Sequence, residues 1–281
     1  MIAIALAFGA SVAWGFSDFL GGMRAKRIAI TGVVGMTLVG GILMAGLGVA
    51  LGAGPWPGFV PLWPAIVSGL GSLLAFGTLY KALSIGPMSV VAPISATYPI
   101  VPVLVGLVFW SERPTSLQVA GMALTITGVL LAASEGNHKR GRTRIGRLGV
   151  VLAILSALGS GVMLTALDAA AKADPYWALL AARCVSVLVL LTVVAALRPT
   201  FGVRGLDVPA LIGIGILDTG ATGLFAVAST RGYLSVVSVV ASLFPIMTVI
   251  LAHVLLHERL RAHQWLGVAG ALSGVVLITI G

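Results

Sequence analysis

Charge is scarce in this chain. Charged residues fill 9% of its 281 positions and only eight are acidic, against 59% hydrophobic residues and a mean hydropathy of +1.12. That shortage excludes a soluble globular protein and implies an integral membrane protein. Cysteine is nearly absent too. The single Cys184 lies inside an apolar run, which excludes an internal disulfide and leaves the role of a small buried hydrophobe. The alternating pattern of a membrane β-barrel is missing, so helices are the economical way to satisfy backbone groups in lipid. No basic segment precedes the first apolar run, so Met1 to about Gly22 reads as a retained first helix and not a cleaved leader. A net charge of +9 would suggest nucleic acid in a soluble protein. Here the basic residues sit in short loops between apolar runs, so topology explains them and no nucleic-acid partner is expected.

What is present is a duplication. The stretch from Gly86 to Leu131 recurs without a gap 146 residues later, from Gly232 to Leu277. Pro99-Ile100 falls on Pro245-Ile246, Glu112-Arg113 on Glu258-Arg259, Gln118 on Gln264, and Gly121 and Gly128 on Gly267 and Gly274. Compositional bias would match Val with Val, but would not set scarce Glu, Gln and Pro in one register. The offset is slightly more than half of 281, so the repeated unit is half the chain.

Apolar runs of span length fall at about 2–22, 28–52, 62–83, 87–110, 116–134, 148–171, 176–197, 208–229, 234–256 and 264–280. The expected fold is therefore an all-α membrane protein of ten transmembrane helices in two five-helix repeats, residues 1–134 and 148–281, joined by a basic cytoplasmic connector, 135–147. With the N-terminus outside, thirteen of the seventeen Lys and Arg residues fall in inner loops, and only Arg113, Lys172 and Arg231 in outer ones. Both termini are accordingly expected outside the cytoplasm. An odd number of helices per repeat inverts the second copy, and inverted repeats around a midplane site are an architecture of secondary transporters.

The Trp14-Gly15 pair in the first helix, Pro99 and Pro245 in the fourth and ninth, the Glu-Arg pairs and the Gln-x-x-Gly motifs at Gln118 and Gln264 also resemble the EamA-type proteins of the drug/metabolite transporter superfamily. The resemblance covers essentially the whole chain. It implies ten helices, a central cavity between the repeats and transport of small metabolites, amino acid export being a frequent role of bacterial members. One departure stands out: Ser160-Gly161 occupies the place of Trp14-Gly15 in the second half, so any role of the tryptophan is not duplicated.

Ionisable residues inside spans are costly, so each is a candidate. Asp218, among glycines in the eighth helix, is either a cavity carboxylate that binds an amine or a proton, or a structural ion-pair partner for Arg183 in the seventh. Asp18, one turn from Trp14, is either a substrate or proton site with the indole as a wall, or a surface carboxylate paired with Arg24 or Lys26. Asp168 and Asp174, flanking Lys172, read as solvated charge. Phe76, Tyr80, Tyr98 and Phe244 are candidate cavity aromatics, and Tyr98 and Phe244 rank first because they precede Pro99 and Pro245, candidate hinges where the backbone loses a donor. Glu112 and Glu258, each with its neighbouring Arg, are expected to cap and pin short loops. His253 and His257 have metal-ligand spacing but lack a second ligand pair, and Gly159-Ser160-Gly161 is too short a pattern to make an intramembrane protease.

The expected activity is that of a secondary transporter in a bacterial inner membrane, exporting a small amphipathic metabolite, an amino acid or related amine, by alternating access. A multidrug or quaternary-cation exporter is the rival within transport, and an intramembrane enzyme the rival outside it. The expected partners are the small-molecule substrate, the lipid bilayer and protons as the candidate coupling ion. No cofactor, metal or catalytic residue is expected.

Overall fold

A computed structural model describes the chain except for residues 26, 86–90, 92–93, 134–145, 199, 206 and 257–260. Among the described residues the protein is all-helical. Its helices are α1 (Ile2–Ala25), α2 (Ile30–Gly52), the one-turn α3 (Phe59–Leu62), α4 (Pro64–Ile85), α5 (Ile100–Val108), α6 (Ser116–Ala133), α7 (Arg147–Ala171), α8 (Pro175–Leu197), α9 (Asp207–Ser229), α10 (Leu234–Ala241), α11 (Phe244–Leu256) and α12 (Ala262–Ile280). Seven helical segments here are long and apolar enough to cross a bilayer: Ile2–Ala25, Ile30–Gly52, Phe59–Ala82, Arg147–Ala171, Pro175–Leu197, Asp207–Ser229 and Ala262–Ile280. Local chemistry sets some of the ends. Asp174 caps α8, its carboxylate accepting from the backbone N–H groups of Tyr176 at 2.9 Å and Trp177 at 3.0 Å, while Pro175 opens the helix where a missing donor costs nothing.

The run expected as a continuous helix over 234–256 is broken. α10 ends at Ala241, Ser242 and Leu243 form a turn, and α11 begins at Phe244. Pro245 cannot donate to the Ala241 carbonyl, so the chain turns tightly there instead, with Leu243 N–H donating to Val240 at 3.3 Å and Ile246 N–H to Leu243 at 2.9 Å. The first half breaks at the equivalent place: residues 96–99 form a turn, and Pro99 stands at its end before α5. The connector and the expected start of the fourth span lie mostly outside the described residues.

The 146-residue offset governs packing as well as sequence. Where α6 crosses α12, a Cβ on Gly121 would lie 2.7 Å from the Gly274 carbonyl oxygen, and one on Gly128 would lie 2.7 Å from that of Gly267. Gly274 is the counterpart of Gly128 and Gly267 that of Gly121, so the partners are exchanged as a two-fold axis requires. Thr125, midway between them, donates to the carbonyl of its own counterpart, Ala271, at 3.4 Å. Only glycine permits so close a backbone approach, and in lipid such van der Waals packing replaces the hydrophobic drive.

The broken helices are seated in the same paired manner. A Cβ on Gly15 would lie 2.9 Å from the Phe244 carbonyl oxygen, and one on Gly161 2.8 Å from that of Tyr98, each residue again 146 positions from its mate. The surface left over is apolar, with Leu43, Leu47, Leu188 and Leu191 exposed as a lipid-facing helix requires. Cys184 belongs to that surface: it is exposed, not buried. In a helix apolar on all sides, hydropathy does not say which face meets lipid.

Candidate functional site

Two helices of the second half bring opposite charges into the interior. Arg183 on α8 and Asp218 on α9 form an ion pair at 2.9 Å between Nη2 and the carboxylate, and the same Nη2 donates to Thr222 Oγ1 at 3.2 Å. Thr222 in turn donates to the Asp218 carbonyl at 2.9 Å, one turn back along α9. Arg183 and Asp218 are 5% and 9% exposed, so this pair depends on its mutual attraction and hydrogen bonds to remain ionised in the interior. The Trp14 side chain also reaches the Asp218 carboxylate.

The pair stands between two cavities. The larger is lined by Ser17 and Asp18 of α1, Val34, Thr37 and Leu38 of α2, Ser72, Leu73, Phe76 and Tyr80 of α4, Arg183, Ile214 and Asp218. The smaller is lined by Ser68, Ser72, Met163, Leu167, Leu179, Ala182, Arg183, Ser186 and Thr222. Chain direction orders them. The larger cavity takes its residues from the end of the bundle where α1 and α4 finish and α9 starts, and the smaller from the end where α7 finishes and α8 starts. Arg183 and Ser72 line both.

The four candidates Asp18, Phe76, Tyr80 and Asp218 thus meet around one cavity, with the Phe76 and Tyr80 rings stacked at 6.3 Å between centroids. Asp18 has no hydrogen bond or ion pair among the described residues. Its expected surface partner Arg24 is bound to Asp207 instead, at the start of α9, and Lys26 lies outside the described residues. Counted as ionised, the lining holds two carboxylates, Asp18 and Asp218, against one guanidinium, an excess of negative charge that favours a cationic group.

Trp14, Tyr98 and Phe244 line neither cavity. Trp14 is buried in the core against Phe225, ring centroids 6.0 Å apart. Tyr98 and Phe244 stack on each other at 6.0 Å where the two broken helices meet, and the Tyr98 hydroxyl donates to the Ser238 carbonyl at 3.5 Å. Aromatics beside a break in a lipid-embedded helix are needed to fill the space that the turn opens, and that use leaves no mark in hydropathy.

Elsewhere the expectations need correction. Asp168 is buried, with a side chain 2% exposed, because α7 turns this face inward; Lys172 lies 3.5 Å away and sits 3.7 Å over the Trp110 ring. Glu112 does cap, but not its own loop. Its carboxylate accepts the N–H groups of Leu234 at 2.6 Å and Ser235 at 3.0 Å, across the repeats at the start of α10, where the helix dipole and two orphan donors favour an anion. Glu258, Arg259 and His257 lie outside the described residues, as does the His253 side chain. Ser68, Ser72, Thr37 and Thr222 were missed by sequence reasoning. The signal that could have found Ser72 was the repeat itself, since Ser72 stands 146 residues before Asp218.

Apolar helices of spanning length around a buried charged cavity define a polytopic membrane protein of transporter architecture. Residues 1–134 and 147–280 each match the EamA-like transporter family, and the chain belongs to it, as an EamA-type member of the drug/metabolite transporter superfamily. No curated protein matches the chain. Among solved structures, 29 chains match; one, a crystal structure, superposes with a TM-score of 0.77 over 99% of this chain and 98% of its own at 18% identity, a likeness of fold.

Proposed function

We propose that this protein is a ten-helix secondary transporter of a bacterial inner membrane, built as two inverted repeats of residues 1–134 and 148–281 around the 135–147 connector. It exports a small amphipathic solute carrying an amine, most plainly an amino acid, by alternating access. The observation that carries this reading is Asp18: a carboxyl group without a partner among the described residues, facing the larger cavity beside the Arg183–Asp218 pair. A charge placed so deep in a lipid-embedded fold needs a cationic or water-borne partner, and a solute ammonium meets that need. In the export cycle the breaks at Pro99 and Pro245 serve as hinges, since turn hydrogen bonds there already interrupt the regular helical ones. Protons are the coupling ion of this scheme, taken by Asp18 or Asp218 when the solute leaves.

The stacked Phe76 and Tyr80 beside Asp18 also suit a quaternary cation, which is the second reading. Flux in proteoliposomes, with amino acids, amines and quaternary ammonium ions compared with and without a pH gradient, separates the two. Amino acid or amine flux that follows the proton gradient supports export of amine-bearing metabolites; flux of quaternary cations alone supports the rival; no flux of any of them overturns both.

A further inference from the structure

We infer that the smaller cavity is a second solute subsite, one that takes a carboxylate on Arg183, Ser68 and Ser72. This rests on the transport reading above and states which residues would distinguish a zwitterion from a simple amine.

Three observations support it. Both bonds that Arg183 makes to Asp218 and Thr222 leave from Nη2, so its Nη1 and Nε donors have no acceptor among the described residues although the residue is only 5% exposed. A guanidinium carries five N–H donors, and burying it with more than half unclaimed is costly unless a ligand or water completes it. Ser68 and Ser72, 2% and 5% exposed, likewise have hydroxyls with no hydrogen bond among the described residues, and both line this cavity. Ser186 by contrast is satisfied, donating to the carbonyls of Gly69 at 2.9 Å and Ala182 at 3.1 Å. The unclaimed groups are therefore all able to donate, while the one acidic group at the pair, Asp218, opens to the other cavity.

That division sorts the two ends of a solute. An ammonium in the larger cavity meets Asp18 and Asp218; a carboxylate reaching past the pair meets Arg183 and the two serines. Ser72 and Arg183 line both cavities, so the two adjoin at these residues. A carboxylate that engages Arg183 competes with Asp218 for it, which frees Asp218 for the ammonium. A simple amine satisfies Asp18 alone and leaves the buried donors empty.

The test is flux in proteoliposomes of the full chain, measured above protein-free vesicles, for the common amino acids, their methyl esters and the corresponding decarboxylated amines. The subsite predicts that a transported amino acid exceeds its methyl ester and its amine by about tenfold or more in flux at low concentration, the worth of hydrogen bonds to a charged group. It predicts also that Ser68→Ala with Ser72→Ala narrows that ratio, and that Arg183→Lys, which keeps a charge to pair with Asp218, narrows it further. Equal flux of acid, ester and amine overturns the carboxylate subsite and leaves amine transport intact. A wild-type ratio in the double serine variant overturns the assignment to the smaller cavity. No flux of any of the three overturns this inference together with the transport reading.

Discussion

The two halves of this molecule are alike where they pack and unlike where they are charged. Gly15 and Gly161, Gly121 and Gly267, and Gly128 and Gly274 stand 146 residues apart and make equivalent contacts, and the turns that begin at Ala96 and Ser242 stand at the same offset. The site does not follow this rule. At the same offset Asp218 faces Ser72, Arg183 faces Thr37, Asp18 faces Leu164 and Phe76 faces Thr222. A two-fold scaffold requires both members of each packing contact, because losing one opens a gap the other cannot close. A solute with two different ends requires the reverse, since a symmetrical pair of sites could not orient it.

Substituting paired glycines tests the scaffold side most severely. Gly128→Leu and its counterpart Gly274→Leu each force a side chain into facing backbone on the other helix, so each should prevent recovery of monodisperse protein in detergent, and to the same degree. Size-exclusion profiles of the two variants check this, and a large difference between them breaks the symmetry argument.

The charged side gives the next largest effect, and here the halves should differ. Arg183→Ala leaves Asp218 buried without its partner and should cost about 3–5 kcal/mol. Its counterpart Thr37→Ala removes a hydroxyl that, among the described residues, bonds only within its own helix, at the Val34 carbonyl, and should cost less than about 1 kcal/mol. Unfolding in detergent measures both. Adding Asp218→Asn to Arg183→Gln should recover part of the loss, because no charge is then left unpaired.

Glu112 contributes less, at a place where the halves touch. Glu112→Ala exposes two orphan donors at the start of α10 and should cost about 1–2 kcal/mol, with Glu112→Gln recovering part of it through its remaining carbonyl oxygen. Thermal unfolding of the two variants decides the order.

These comparisons also show what the amino-acid sequence makes visible. The duplication, the all-helical membrane class and the pairing of Arg183 with Asp218 were legible because scarce residues carry them: Pro, Glu, Gln and a few buried charges. The side on which a common residue lies was not. Trp14, Tyr98 and Phe244 fill the core while Ser68 and Ser72 line a cavity, and in spans apolar on every face no periodicity separates lipid from interior. The partner of Glu112 was hidden for another reason: it lies 122 residues away, and the local Glu-Arg pair gives no hint of a contact made across the repeats.

The Asp18 carboxyl group, unpaired among the described residues, serves the solute and not the fold, and Asp18→Asn separates the two most directly. Asp18 has no partner among the described residues, and the amide keeps the shape of the side chain while removing its charge. In proteoliposomes the variant should fold and unfold at or above the wild-type temperature, yet lose about tenfold or more of solute flux, the worth of a hydrogen-bonded charge. Wild-type flux through well-folded Asp18→Asn protein would contradict the account.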